Sequence, residues 1–87
     1  MSSDMVMIIL QTADRTRKAQ ITIPRSLHVA DIIKASTKRW FLTLNREYTV
    51  FNMTLNRQLL PSDTLSVGNV HNGDVLMLQP FAMHGAI

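Results

Sequence analysis

The chain has 87 residues, of which 46% are hydrophobic, with three glycines, no cysteine and a net charge of +3. This length suits one domain with one compact core, and the apolar fraction is typical of a globular chain rather than a disordered one. The lack of cysteine excludes disulfides, thiol catalysis and thiolate metal ligands. It also fits a cytosolic protein.

The start of the chain gives no sign of export or membrane insertion. The longest apolar run, Met5 to Leu10, is far shorter than the roughly 20 residues of a membrane-spanning helix. Residues 1–10 carry no basic side chain and no cleavage-like site, so we expect no signal peptide. The sequence thus predicts a cytoplasmic protein that does not insert into a membrane.

The first half predicts a hairpin followed by a helix. Residues 5–12 are rich in apolar and β-branched side chains, residues 13–18 are polar, and residues 19–23 alternate up to Pro24. A helix over about 28–39 is indicated by one apolar stripe with spacings of three and four, formed by Val29, Ile32, Ile33, Ser36 and Trp40. Ser26 or His28 can cap its start, and serine has the better side chain for this. We expect Trp40 to be largely buried, with its indole N–H on a backbone carbonyl.

The second half predicts three more strands. After a connector at 42–47, they lie at 48–53, 58–60 and 75–79; a turn at Asn72-Gly73-Asp74 precedes the last. We expect Leu65 and Val70, between the last two strands, to be buried. The resulting β-β-α-β-β-β order predicts an α+β domain in which the helix covers one face of a mixed sheet. The last strand should lie beside the first.

Two stretches resemble the ubiquitin-like, or β-grasp, superfamily. In "RQLLPSDTLSVGNVHNGDVLMLQ" the resemblance rests on Leu59, Thr64-Leu65, Val70, Leu76 and Leu78. In "VMIILQTADRTRKAQITIPRSLHVADII" it rests on the hairpin, the proline after it and the aliphatic start of the helix. The resemblance implies one ubiquitin-like domain over 1–87, with its core at 5–80 and flexible ends at 1–4 and 81–87.

Within this superfamily the chain is most similar to the bacterial YukD/EsaB family of type VII secretion. The similarity lies in the Leu59-Leu60 strand, the short loop after it, and the final Gly73-Asp74-Val75-Leu76-Met77-Leu78 segment. It implies a cytosolic accessory or regulatory component of a type VII secretion system. A component of the secretion machinery is then the expected protein partner.

The tail argues against covalent attachment. Conjugated modifiers and sulfur carriers of the ubiquitin-like fold end in Gly-Gly, whereas this chain has only Gly85, followed by Ala86 and Ile87. We therefore expect a non-conjugated protein with a frayed tail at 82–87. A modifier or sulfur carrier with an atypical C-terminus remains an alternative.

No pattern in the sequence indicates catalysis or a cofactor. His28, His71 and His84 are scattered and lack the spacing of a metal site. The glycines form no phosphate-binding loop. We therefore expect no enzyme activity, cofactor, metal or small-molecule substrate.

Strand alternation predicts an apolar interaction patch on the sheet face that the helix leaves open. The side chains expected to face the helix are Val6, Ile8, Leu10, Ile21, Ile23, Phe51, Met53, Leu76 and Leu78. The patch then comprises Met7, Ile9, Tyr48, Val50, Val75 and Met77. If the third strand is shifted by one residue, Tyr48 and Val50 turn inward and the patch is split. We expect a protein partner, or a second copy of the chain, to bind this face.

Basic residues suggest a second function class. Arg15, Arg17 and Lys18 share the first turn, and Lys38 and Arg39 lie at the helix end. A small basic nucleic-acid-binding domain on the same fold is therefore an alternative. We found no aromatic side chain interleaved with these clusters, and helix dipoles attract cations to their C-termini, so solvated surface charge is favoured.

Overall fold

A computed structural model describes residues 4–42 and 47–80. Its elements are β1 (Met5–Thr12), β2 (Lys18–Pro24), α1 (Val29–Arg39), β3 (Tyr48–Asn52), β4 (Arg57–Leu59) and β5 (Asp74–Pro80). Every bound lies within one residue of the sequence prediction. Residues 81–87 and 1–3, where flexible ends were predicted, lie outside the described residues. Asp4 is described, and its carbonyl accepts the Arg25 N–H at 2.7 Å.

The five strands form one mixed sheet in the order β2-β1-β5-β3-β4. The last strand lies beside the first, as predicted, and this central pair is the parallel one. The turn before β5 sets its register: Asn72 Oδ1 accepts the Met7 N–H at 2.9 Å, and the Gly73 N–H donates to the Met7 carbonyl at 2.8 Å. Gly73 has φ +89°, a conformation that strains any residue with a Cβ. A glycine at this turn therefore aligns the two central strands.

One core lies between α1 and the sheet. On β1 the side chains of Val6, Ile8 and Leu10 are buried, while their neighbours along the strand are half-buried or exposed. Val29 and Ile32 of α1 pack against this inner face, and the predicted burial of Leu65 and Val70 is confirmed. The complete buried apolar set is Val6, Ile8, Leu10, Val29, Ile32, Val50, Leu59, Leu65, Val70, Leu76 and Leu78.

The segment after β4 caps the start of α1. The Val29 N–H donates to the Asp63 carbonyl at 2.8 Å, and the Ala30 N–H donates to the Pro61 carbonyl at 3.0 Å. These carbonyls satisfy donors that have no partner within the helix. The N-cap is His28 rather than the preferred candidate Ser26, and Asp31 Oδ2 accepts the His28 N–H at 3.4 Å.

Trp40, the C-cap residue of α1, is less buried than predicted. Its side chain is half-buried and packs against the edge of the core cluster. No described residue accepts a hydrogen bond from its indole N–H. Its backbone N–H still makes a helical hydrogen bond to the Ser36 carbonyl at 2.9 Å, and the helix ends after it because Phe41 has φ +54°.

The register of β3 depends on a buried polar contact. Asn52 is fully buried, and its Nδ2 donates to Asp74 Oδ2 at 3.0 Å. Its Oδ1 accepts the N–H groups of Thr54 and Leu55 at 3.0 and 3.1 Å. Asp74 Oδ2 also accepts the His71 N–H at 2.9 Å. The amide therefore joins the end of β3, the following turn and the start of β5.

This contact makes the predicted orientation of β3 wrong by one residue. Since Asn52 points inward, Val50 also points inward and is 0% exposed, and Tyr48 packs against the core. Phe51, predicted to face the helix, lies on the opposite side, and Met53 is exposed. The sequence prediction placed Phe51 and Met53 on the helix side because apolar side chains normally face the core. An amide can also be buried when its hydrogen-bond partners are in place, and here Asn52 takes the inward position.

We predict that Asn52→Ala destabilises the domain by about 1–3 kcal/mol, because the buried Asp74 carboxylate loses one hydrogen-bond donor and two turn N–H groups lose their acceptor. Urea denaturation of both proteins measures this difference. The matched control is Asn56→Gly in the same turn, where φ is +57° and glycine fits without strain. If Asn52→Ala is as stable as the wild type, the register of β3 has another origin.

A carboxylate organises the turn between β1 and β2. Asp14 Oδ1 accepts the Thr12 hydroxyl at 2.7 Å and the Thr16 N–H and hydroxyl at 3.0 and 2.8 Å. These bonds, the one from the Thr12 hydroxyl above all, lower the pKa of Asp14 from 3.8 to about 2.

Because the pKa of Asp14 is lower in the folded state, its contribution to stability is present above pH 3.8 and is lost as the pH falls through about 2. We predict that Thr12→Val raises the pKa of Asp14 towards 3.8, measured by NMR titration of its carboxyl carbon. We also expect the difference in Tm between wild type and Asp14→Asn to narrow over this pH interval. A difference in Tm that stays constant with pH would contradict the hydrogen bonds assigned to Asp14.

Candidate functional site

The sheet face turned away from α1 is apolar across its three middle strands. Alternation along β1 and β5, with the corrected register of β3, decides which side chains lie there. We call this surface the methionine face; it comprises Met5, Met7, Ile9, Phe51, Met53, Val75 and Met77. It contains every methionine within residues 4–42 and 47–80.

The strand pairing brings these side chains into contact range. Ile9 lies opposite Val75 across the parallel pair, and Phe51 lies opposite Met77 across β3 and β5. Side chains directly opposite on one face of a sheet are neighbours. Met53 extends the row, because its N–H donates to the Val75 carbonyl at 2.8 Å and its sulfur lies 3.5 Å from Gln11 Nε2.

The edges of the methionine face are polar. Gln20 and Thr22 of β2 lie beside Ile9 and Met7, and Gln58 of β4 lies beside Phe51. Met5 and Met53 are 47% and 39% exposed, while the other five members are half-buried. An apolar centre with a polar rim is the general composition of protein interfaces. Methionine suits such surfaces because its unbranched side chain adapts to different partners.

The structure retains four of the six predicted patch residues. Met7, Ile9, Val75 and Met77 lie together on the methionine face, and their role in binding stays a prediction. Tyr48 and Val50 belong to the core side.

Sequence reasoning missed Phe51 and Met53, which replace Tyr48 and Val50 as the β3 contribution to this face. The available signal was the Asn52-Met53-Thr54 segment. An asparagine at a strand end often folds its side chain onto the next turn, and here this turns Asn52 inward.

The predicted basic turn is exposed but is not purely cationic. Arg15, Arg17 and Lys18 all lie at the surface. Asp14 lies in the same turn, and its low pKa of about 2 keeps it ionised at neutral pH. An anion approaching this turn therefore meets a carboxylate among the cations.

Other kinds of site find little support. Within the described parts of the chain, no three histidine, aspartate or glutamate side chains come together as metal ligands would. No helix in those ranges is long and apolar enough to cross a membrane. His84 and Gly85, considered above for a metal site and for conjugation, lie outside the described residues.

Comparison with known proteins identifies the fold. No protein-family model and no curated protein matches the chain. Among solved structures, a protein designed de novo from ubiquitin is similar with a TM-score of 0.74 at 18% identity, over 97% of this chain and 99% of that one. Ubiquitin from Caldiarchaeum subterraneum is similar with a TM-score of 0.73 at 16% identity, over 93% of this chain and 99% of that one.

The C-terminal ubiquitin-like domain of mouse tubulin-specific chaperone e gives a TM-score of 0.70 at 12% identity, over 94% of this chain and 92% of that one. In each case the likeness spans almost all of both chains. It agrees with the five-stranded mixed sheet and single helix described above. The chain therefore has the ubiquitin-like β-grasp fold.

Proposed function

We propose that this chain is a non-conjugated ubiquitin-like interaction module that binds a protein partner through the methionine face. The observation that carries the proposal is the row of apolar side chains across β1, β5 and β3, on a face where an antiparallel or mixed sheet open to water normally shows polar residues. Contiguous apolar patches of this kind mark interaction sites.

A non-covalent mode of action is supported by the glycine content. The three glycines, Gly68, Gly73 and Gly85, are never adjacent, so the sequence contains no Gly-Gly pair. Gly73 has its own structural role in the turn before β5.

We place the module in the cytosol, as an accessory or regulatory component of a bacterial type VII secretion system. The support for this finer assignment is the resemblance to the YukD/EsaB family in the Leu59-Leu60 strand and the Gly73–Leu78 segment. Deletion of the gene in a host with such a system should lower secretion of the small helical substrates. Wild type should restore secretion, whereas a variant with a charged methionine face should not.

We predict that Met77→Lys strongly weakens binding while the domain stays folded. Met77 lies in the middle of the face, opposite Phe51, so the lysine would be desolvated without a partner in the complex. A penalty of about 3 kcal/mol weakens binding about 100-fold. Affinity capture from native cytosol identifies partners that Met77→Lys loses, and calorimetry with the purified partner measures the change. Sedimentation at several concentrations tests self-association.

Two control variants separate binding from folding. Thr22→Lys adds the same charge at the polar rim and should bind normally. Val50→Lys, one residue from Phe51 but in the core, should unfold the domain. The proposal fails if the Met77→Lys variant still binds the captured partners, while replacement of Arg15, Arg17 and Lys18 by serine abolishes that binding. Strongly salt-dependent binding would then favour the nucleic-acid alternative.

A further inference from the structure

A second surface feature lies at the C-terminal end of α1, on the helix side of the sheet. Phe41 follows the C-cap residue and is 91% exposed, with φ +54°. Its N–H donates to the Lys38 carbonyl at 3.4 Å, and the Leu42 N–H donates to the Thr37 carbonyl at 2.9 Å. This pair of bonds is the Schellman motif, whose left-handed residue is normally glycine.

A phenylalanine at this position is doubly unfavourable. Its Cβ crowds the backbone in the left-handed region, and its ring is left in water. Glycine at position 41 would relieve both costs and keep the motif. Strained residues of this kind concentrate at functional sites, so the position calls for a role other than ending the helix.

Phe41 forms one wall of a groove, which we call the Phe41 groove. Its volume is about 610 Å³, and it is lined by Lys34, Thr37, Lys38, Phe41 and Leu42. Lys34 and Lys38 are one helical turn apart, so their ammonium groups lie on the same side of α1. Thr37 is buried and its hydroxyl donates to the Lys34 carbonyl at 3.0 Å. Among the described lining residues, the charged groups are Lys34 and Lys38.

Within the described ranges, no acidic side chain neutralises these cations. All six acidic side chains lie within residues 4–42 and 47–80, and none forms an ion pair with Lys34, Lys38 or the adjacent Arg39. The one pair among the described residues joins His28 and Asp31, at the other end of the helix. The helix dipole explains cations at this end, but it does not explain an exposed aromatic ring beside them. The sequence interpretation that no aromatic accompanies the basic clusters overlooked Phe41.

We propose that the Phe41 groove binds an acidic peptide segment of a partner protein, with an apolar side chain against Phe41 and Leu42 and carboxylates on Lys34 and Lys38. Charge complementarity and the apolar wall together favour this occupant. A single-stranded nucleic acid stacks successive bases on several aromatic rings, whereas Phe41 is one ring. A membrane surface requires an extended apolar face, whereas the described lining of this groove offers two apolar side chains, Phe41 and Leu42.

Selection of short random peptides on the full-length protein tests the proposal. Enriched peptides should combine aspartate or glutamate with leucine, isoleucine or phenylalanine. Binding of a labelled enriched peptide, measured by fluorescence anisotropy, should weaken with salt. Both Phe41→Gly and the double variant Lys34→Glu, Lys38→Glu should weaken it about tenfold or more.

Phe41→Gly should lose binding while gaining stability, with a Tm about 4–8 °C higher, so that misfolding cannot explain the loss. Phe41→Ala removes the ring but keeps the side-chain Cβ, and it should lose binding without the full gain in Tm. The double variant Arg17→Glu, Lys18→Glu reverses the same number of charges away from the groove and should bind normally. Met77→Lys should also bind normally, which separates this site from the methionine face.

Several results would overturn the proposal. The first is a selection that enriches no peptides combining acidic and apolar residues. The second is equal affinity of the enriched peptide for the wild type and for Phe41→Gly. Tighter binding to oligothymidylate, or to vesicles containing phosphatidylserine, with the same dependence on Phe41, would reassign the groove to nucleic acid or to membrane.

Discussion

The hydrogen bond between Asn52 and Asp74 fixes the relation between the two halves of the molecule. It joins the end of β3 to the start of β5 at a distance of 3.0 Å, with Asn52 fully buried. A buried amide and carboxylate are tolerated only when their partners are in place, so the contact permits one register of β3. That register turns Val50 into the core and Phe51 outward. The composition of the methionine face thus follows from a polar contact on the other side of the sheet.

The two candidate surfaces differ in position and in chemistry. The methionine face and the Phe41 groove lie on opposite sides of the sheet, because α1 covers one side and the methionine face occupies the other. A partner on one therefore leaves the other accessible. Contact through the methionine face depends on removal of apolar surface from water, whereas the groove combines one aromatic ring with charges that salt screens. The two proposed sites therefore do not overlap.

Elements and topology followed from the sequence because periodicity and turn residues carry that information locally. The stripe from Val29 to Trp40 predicted α1, and Asn72-Gly73-Asp74 predicted the turn that sets β5. The orientation of β3 did not follow, since polarity alone places Asn52 in water and its partner lies 22 residues away. Phe41 was missed for a similar reason. Its exposure and its φ follow from the geometry of the helix end, not from a periodic pattern.

The central position of β5 has a consequence for synthesis. β1 pairs with a strand made much later, and the bond between Met7 and Asn72 spans 65 residues. At about 5–20 residues per second, a ribosome needs about 3–13 s to make that interval. Until then β1 has only β2 beside it, and an isolated hairpin is marginally stable in water. The central part of the sheet can therefore form only after β5 has been made, and until then the apolar segment Met5–Leu10 lacks its neighbour on that side.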